Sequence, residues 1–216
     1  EVYEDSAEEY AECQTIGIQA WERASNSLVE SADNTFTVFN SAPWLRDDML
    51  TVSVEDSGER GHWVDCEGQP LQADRQGENW LVYVKQLPSM GYKVIRFEPD
   101  AQGQKASMST PFTLLDSGII TPYFEIDWND SGQLTSIFDR QAKRQVLAEG
   151  KLGNVFQVFE DKPMAHDAWD IDIYYQEKMR LIEDLVDISV IEKGQLRVVI
   201  RFQWRYMDST LTQDMV

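Results

Sequence analysis

Residues 123–139, YFEIDWNDSGQLTSIFD, decide the fold class of this chain. Apolar and polar side chains alternate on both sides of the sequence NDSG at 129–132. Alternation with a period of two places every second side chain on one face of a strand, while Asn, Asp, Ser and Gly favour tight turns. The stretch therefore predicts an antiparallel β-hairpin.

Similar alternating runs stand on both sides of this hairpin. They are TFTVFN (35–40), MLTVSVED (49–56), NWLVYVKQL (79–87), GYKVIRF (91–97), NVFQVFED (154–161) and DISVIEKGQLRVVIRFQW (187–204). The last run predicts a second hairpin around Lys193 and Gly194. Residues 56–79 are rich in Gly, Asp and Gln, so we expect turns or a long loop there.

The first 30 residues differ from the rest because they follow a helical period and contain no proline. Their apolar residues recur at steps of three, four or seven positions: Tyr3, Ala7, Tyr10, Gly17, Trp21, Ala24 and Leu28. This spacing predicts an amphipathic helix with one apolar stripe. The stripe must pack either on the β-domain that follows or on helices outside this chain.

Together these patterns predict a mainly β protein in three parts. The parts are the terminal helix of a helical bundle (1–32), a small β-sandwich that ends near residues 112–115 (33–116) and the opening strands of a larger antiparallel β-sandwich (117–216). The chain begins inside a helical pattern and stops inside a strand pattern, so we expect a piece of a longer protein. Unpaired strand edges and the helix stripe predict dimers or aggregation of the isolated chain, and thus a possible homo-oligomer.

The charge of the chain disfavours two classes of partner. Its 216 residues carry 38 acidic against 19 basic side chains, a formal charge of -19. Such a field repels nucleic acid and anionic lipid, whereas neutral ligands such as sugars are unaffected. No apolar run reaches the roughly 18 residues needed to cross a bilayer.

The cysteines and histidines provide no recognisable catalytic or zinc pattern. Cys13 and Cys66 lie far apart without a CxxC pair, which predicts free thiols and favours the cytoplasm. His62 falls in the predicted loop, and neither it nor His166 stands beside a G-x-S-x-G nucleophile pattern. Residues 127–132 open like a calcium loop, but Phe138 occupies the position that requires a bidentate glutamate, so a polar turn is the better interpretation.

Carboxylates and aromatic side chains are concentrated in FEDKPMAHDAWDIDIYY, residues 159–175. Paired carboxylates flanked by aromatic faces are what glycoside hydrolysis uses, and aromatic rings stack on the apolar faces of sugars. Acids and aromatics also collect at strand ends without any function. Residue types alone leave both interpretations open.

Three stretches in order resemble glycoside hydrolase family 38, the α-mannosidases. FTVFNSAPWLRDDML (36–50) looks like the N-S-x-x-W-x-R strand that opens the first β-domain of the family, and QLPSMGYKVIRF (86–97) looks like its P-x-x-G-Y strand. Residues 132–175, which contain the sequence DAWD at 167–170, resemble the large C-terminal β-domain of the bacterial and cytosolic branch. The helical segment fits the last helix of the bundle that precedes these domains.

The resemblance implies a retaining α-mannosidase as the parent protein, with zinc and the catalytic aspartates in an N-terminal barrel that this chain lacks. It therefore implies no catalytic residue, metal ligand or cofactor in the chain itself. The expected partners are the catalytic barrel and helical bundle of the parent and a mannose-containing substrate. The cytosolic branch again favours the cytoplasm.

Within the DAWD stretch, Asp167, Trp169, Asp170 and Tyr174 are the candidate residues for lining the substrate cleft or contacting the barrel. In the structural alternative, Asp170 accepts backbone N–H bonds within its own loop and Trp169 is buried beneath it.

A different function is a stand-alone carbohydrate-binding or interaction module without enzymatic activity. Its binding platform would use Trp44, Trp63 or Trp80. We expect Trp80 to lie in the core, because it opens an apolar strand. For Trp63, a core position and a surface position are equally compatible with the sequence.

Overall fold

The computed structural model describes residues 2–29, 32–54, 61–99, 110–166 and 168–216. One N-terminal helix is followed by antiparallel sheets, which confirms the predicted mainly β class. The chain divides into two compact units, Glu1–Lys105 and Ala106–Val216.

The helix α1 (Val2–Asn26) forms where the helical period predicts it. Glu4 and Asp5 lie in its first turn and Arg23 in its last, which suits the helix dipole at both ends. No residue of α1 is buried. The apolar stripe therefore stays largely exposed within its unit, although the Trp21 ring contacts the Phe39 ring edge-on at 6.3 Å between centroids.

The described residues of the first unit also form seven strands. They are β1 (Thr35–Phe39), β2 (Arg46–Ser53), β3 (Gly61–Asp65), β4 (Pro70–Leu71), β5 (Ala73–Gln76), β6 (Asn79–Leu87) and β7 (Tyr92–Pro99). One sheet has the order β1-β7-β3-β4 and the other the order β2-β6-β5, with antiparallel pairing throughout. Both sheets contribute to a single core, so the unit is a small β-sandwich.

The prediction of turns or a long loop at residues 56–79 is wrong for the described part of this range, because β3, β4 and β5 lie there. Trp63 is completely buried and packs against Phe97 of β7, with 5.4 Å between the ring centroids. Trp80 is also buried, as expected for its strand. His62 accordingly lies on β3 rather than in a loop, with Nε2 3.3 Å from the carboxylate of Glu98.

Asn40 links the two stretches that carry the family resemblance in the first unit. Its side chain is 4% exposed. Nδ2 donates to the carbonyl oxygens of Trp44 and Pro88, each at 2.9 Å, while Oδ1 accepts the N–H of Ala42 at 3.0 Å. The backbone N–H of Asn40 donates to the carbonyl of Gly91 at 2.8 Å. The NSAPW turn and the PSMG turn are thus held together by one buried amide.

In the second unit, the part of the chain that the structure describes forms ten strands. They are β8 (Thr113–Leu115), β9 (Gly118–Ile120), β10 (Phe124–Trp128), β11 (Leu134–Asp139), β12 (Arg144–Gln145), β13 (Gln157–Phe159), β14 (Met179–Leu181), β15 (Leu185–Lys193), β16 (Val198–Tyr206) and β17 (Ser209–Met215). Their sheets have the orders β12-β11-β10-β9-β8, β13-β14 and β15-β16-β17. β8, which the sequence analysis attached to the end of the first β-domain, pairs with β9 in this unit.

The predicted hairpins β10–β11 and β15–β16 are both present and share a core. In the turn of the first, the Asn129 side-chain oxygen accepts the N–H groups of Ser131 and Gln133, each at 3.0 Å. Gly132 has a φ of +73°, and the buried Trp204 donates from Nε1 to the carbonyl of Ser131 at 2.8 Å. The NDSG sequence therefore forms a polar turn that packs on the buried indole of Trp204.

Candidate functional site

The DAWD sequence lies in a long excursion between β13 and β14, which we call the 160–178 loop after its first and last residues. The stem strands pair at three positions, Gln157 with Leu181, Val158 with Arg180 and Phe159 with Met179. The base closes by the Glu160 N–H donating to the Lys178 carbonyl at 3.1 Å. Both ends of the excursion are thus fixed to a two-stranded ribbon.

Charged side chains reinforce this base. Lys178 Nζ lies 3.1 Å from a carboxylate oxygen of Glu160, and Lys162 pairs with the same carboxylate. Hydrogen bonds from Lys162 and then from Lys178 hold the pKa of Glu160 below its usual value. Because these groups are substantially exposed, the cluster orders the base of the loop more than it stabilises the unit.

Two local turns give the middle of the loop its shape. The His166 residue has a φ of +55°, and its carbonyl accepts the N–H groups of Trp169 at 2.7 Å and Asp170 at 2.9 Å. Further along, the carboxylate of Asp172 accepts the N–H of Met164 at 2.7 Å. The second bond crosses the excursion and draws its two halves together.

A 3-10 turn over Ile173–Glu177 leads the chain back to the stem. Within it, the Tyr175 ring meets the Phe159 ring edge-on, with 5.2 Å between centroids. Tyr174, the next residue toward the tip, is instead 55% exposed. The turn therefore packs one tyrosine on the ribbon and presents the other outward.

The loop exposes an unusual amount of apolar surface. Trp169 is 89% exposed, Met164 84%, Ile171 71% and Ile173 69%. Large apolar side chains clustered at the surface of a domain mark contacts with other molecules or other domains. The chemistry that the loop offers is thus an aromatic and aliphatic surface bordered by carboxylates.

The predicted site residues have different positions in this loop. Trp169 and Asp170 are exposed beside the His166 turn, and Tyr174 is exposed further along. Asp167 lies outside the described residues. The alternative in which Trp169 is buried beneath Asp170 does not fit the exposure of Trp169. Within the described part of the 160–178 loop, the carboxylate that accepts a backbone N–H from across the loop is that of Asp172, not Asp170.

Sequence reasoning did not single out Glu160 and Lys178, which close the base of the loop, and it counted Asp172 only among the carboxylates of the stretch, without its bond to Met164. Glu160 and Lys178 lie 18 positions apart in the sequence, and Asp172 and Met164 lie eight positions apart. Opposite charges flanking a loop provide a weak signal, which would have become useful once the two stem strands were paired.

The described residues offer no group of three or more His, Cys, Asp or Glu side chains suited to hold a metal ion. Both cysteines are exposed and unpaired. No helix among the described residues is long and apolar enough to span a bilayer.

Comparison with known proteins extends the resemblance indicated by the motifs. Mouse alpha-mannosidase 2C1 is 34% identical over 209 residues, covering 91% of this chain and 17% of that protein. Human alpha-mannosidase 2C1 is 31% identical over 121 residues (51% and 11%), and alpha-mannosidase G of Dictyostelium discoideum is 26% identical over 152 residues (65% and 14%). The chain thus spans less than a fifth of the length of each relative.

The family model of the glycosyl hydrolases family 38 C-terminal domain matches residues 119–216, a range that contains nearly all of the second unit and the 160–178 loop. The resemblance predicted from the sequence motifs is confirmed: residues 119–216 match the glycosyl hydrolases family 38 C-terminal domain, and the chain aligns with α-mannosidases.

Proposed function

We propose that this chain is a non-catalytic region of a retaining α-mannosidase that hydrolyses terminal α-mannosides, and that it packs on the catalytic domain and completes it. The observation that carries the proposal is the 160–178 loop: a family 38 C-terminal domain presents a braced excursion with an exposed apolar surface. Three proteins whose names identify them as α-mannosidases align with this chain.

The finer proposal concerns the residues of the loop. Trp169 and Tyr174 supply apolar contact area, and Asp167 and Asp170 supply carboxylates that bind either substrate hydroxyls or donors on the catalytic domain. The base of the loop, fixed by Glu160 and Lys178, holds this surface in a defined orientation. A surface that is ordered before contact loses less conformational entropy when the contact forms.

The zinc ion that the family resemblance implies belongs, in this proposal, to the catalytic barrel outside the chain. No step of hydrolysis is therefore assigned to a residue of this chain. The exposed, unpaired cysteines suit a reducing compartment, and we propose a cytoplasmic location.

A replacement experiment tests whether the chain completes an α-mannosidase. This chain replaces the matching 209-residue segment of mouse alpha-mannosidase 2C1, and zinc-supplied α-mannosidase activity is compared with that of the mouse protein lacking the segment. We expect activity from the replacement protein, none from the deletion protein and none from the chain alone. A folded, soluble replacement protein without activity would contradict the proposal, as would zinc-dependent hydrolysis by the chain alone.

The same replacement protein tests the loop. Trp169→Ala and Asp170→Asn are expected to lower kcat/KM while the melting temperature is unchanged, because both residues are exposed in this chain. Trp44→Ala is the matched control, since Trp44 is 62% exposed in the first unit. Equal activity of the loop variants and the control would show that the loop has no part in the enzyme.

The stand-alone carbohydrate-binding module loses two of its three proposed platform residues, because Trp63 and Trp80 are buried in the first unit. Only Trp44 of that set is exposed. The homo-oligomer is a separate proposal that light scattering tests: α1 exposes Val2, Tyr3 and Tyr10, and a monodisperse monomer would contradict it.

A further inference from the structure

A groove of about 350 Å³ opens between the two sheets of the first unit. Its volume falls near the lower end of the range for small-molecule sites. The floor is apolar, with the nearly fully buried Val84 from one sheet and Ile95 from the other. The site lies entirely within the first unit and uses no residue of the 160–178 loop.

Polar groups of both kinds line this apolar floor. Lys93 supplies N–H donors, Asp65 supplies carboxylate oxygens, and the amides of Gln72 and Gln86 supply both. Lys85 also lines the groove, but it follows the inward-facing Val84 on β6 and is exposed, so its side chain lies on the outer face beside Tyr83. Lys93 shares a face of β7 with Ile95, so this lysine points toward the interior of the sandwich at its open end. Burying a lysine side chain in the interior costs free energy unless its ammonium group is hydrogen-bonded to acceptors.

Each lysine is positioned by one contact that leaves donor capacity unused. Lys93 Nζ donates to the Lys85 carbonyl on the opposite sheet at 2.9 Å, and Lys85 Nζ lies 5.3 Å from the centre of the Tyr83 ring. Among the described residues, neither ammonium group lies within salt-bridge distance of a carboxylate. Of the two, the Lys93 ammonium group is the one on the groove side, and it has N–H bonds available for a ligand.

The carboxylates near the lysines show which ligand chemistry fits. Asp47 is already bonded to the Gln86 N–H at 2.7 Å and the Tyr83 hydroxyl at 3.1 Å, and these bonds, with both lysines nearby, lower its pKa. Asp65 accepts two backbone N–H groups through Oδ1. Asp47 and Lys85 lie beside the groove, and the charged side chains that face it are Lys93 and Asp65. One ammonium group and one carboxylate balance, which disfavours an anion and favours a neutral ligand with many hydroxyls.

We propose that this groove binds a neutral mono- or disaccharide. The lysine and glutamine N–H groups donate to its hydroxyl oxygens, Asp65 and the glutamine oxygens accept from its hydroxyl groups, and Val84 and Ile95 contact its apolar face. The inference is independent of the proposed mannosidase function, since it concerns the first unit alone.

Saturation-transfer NMR and equilibrium dialysis of the 216-residue chain test the proposal with methyl α-mannoside and mannobiose. We expect millimolar binding of at least one sugar. Lys93→Met should weaken it about tenfold, because the side-chain stem is kept and a charged hydrogen-bond donor is lost. Lys85→Gln serves as a second variant at an exposed position of the same unit, and Lys151→Met, at an exposed position of the second unit, should bind like the unaltered chain.

Three results would overturn the assignment. The first is absence of binding by both sugars to the folded chain. The second is equal binding by the groove variants and Lys151→Met. The third is tighter binding of glucose 6-phosphate than of either neutral sugar, which would identify an anion site instead. None of these results bears on the α-mannosidase activity of the replacement protein, so the two proposals fail separately.

Discussion

Replacing Asn40 by alanine should destabilise the first unit more than the small size of the change suggests. The amide makes three bonds of 3.0 Å or shorter, to the carbonyls of Trp44 and Pro88 and from the N–H of Ala42, in a site that is 4% exposed. A net loss of about 1 kcal/mol for each bond, with backbone groups left unpaired in a buried site, gives about 3 kcal/mol.

Urea unfolding followed by tryptophan fluorescence measures this loss, because Trp63 and Trp80 report on the core of the same unit. Amide hydrogen exchange provides a local measurement: the N–H of Met90 donates to the Ala42 carbonyl and should exchange faster in the variant. Asn79→Ala is the matched control, since the Asn79 side chain accepts one exposed bond from Ser53. A loss for Asn40→Ala no larger than that of the control would refute the reasoning.

Three further predictions concern the second unit. Gly132→Ala should lower the unfolding free energy measured by thermal unfolding by about 2–4 kcal/mol, because φ is +73° and the added methyl carbon would lie 2.7 Å from the buried Trp204 indole. The control Gly150→Ala, with a φ of +70° and open space around it, should lower it by about 1 kcal/mol. The Arg201 side chain lowers the pKa of Asp214 in the folded chain. The stabilisation from this pair is therefore present above the unfolded pKa of Asp214 near 3.8 and is lost as the pH falls through its folded pKa. An NMR titration should show a higher Asp214 pKa in Arg201→Met. Trp169→Ala should change the unfolding free energy of the chain by less than about 0.5 kcal/mol, and a larger loss would mean that the indole packs within the chain.

The alternating runs predicted most of the sheet because both signals are local. In β10 and β11 the side-chain period and the NDSG turn lie within 17 residues and agree with each other. The region 56–79 shows the limit of this approach. There β4 has two residues and β5 has four, too few to establish a period, and the burial of Trp63 depends on contacts with Phe36 and Phe97, far away in sequence.

The candidate loop was predictable in composition but not in exposure. Acidic and aromatic residues in the stretch indicated a surface with contact chemistry, and Trp169 is indeed at the surface. The same residue types also fit a tryptophan buried beneath a carboxylate, and nothing in the local pattern distinguishes the two. The distinction depends on the Asp172–Met164 bond and on the closed base, which exist only after β13 and β14 pair.

The sequence motifs that carry the family resemblance have different physical origins. The NSAPW and PSMG turns are explained within the chain, because Asn40 must satisfy backbone groups in both of them. Packing does not explain the DAWD motif of the 160–178 loop in the same way. Local hydrogen bonds hold the loop backbone at His166, Trp169 and Asp170, yet the Trp169 side chain is 89% exposed and is not buried by its own unit. Packing within the first unit therefore accounts for the first pair of motifs, whereas the burial of Trp169 within this chain does not account for the last one. If the proposed contact with the catalytic domain is correct, mutations in the last motif should affect activity before stability.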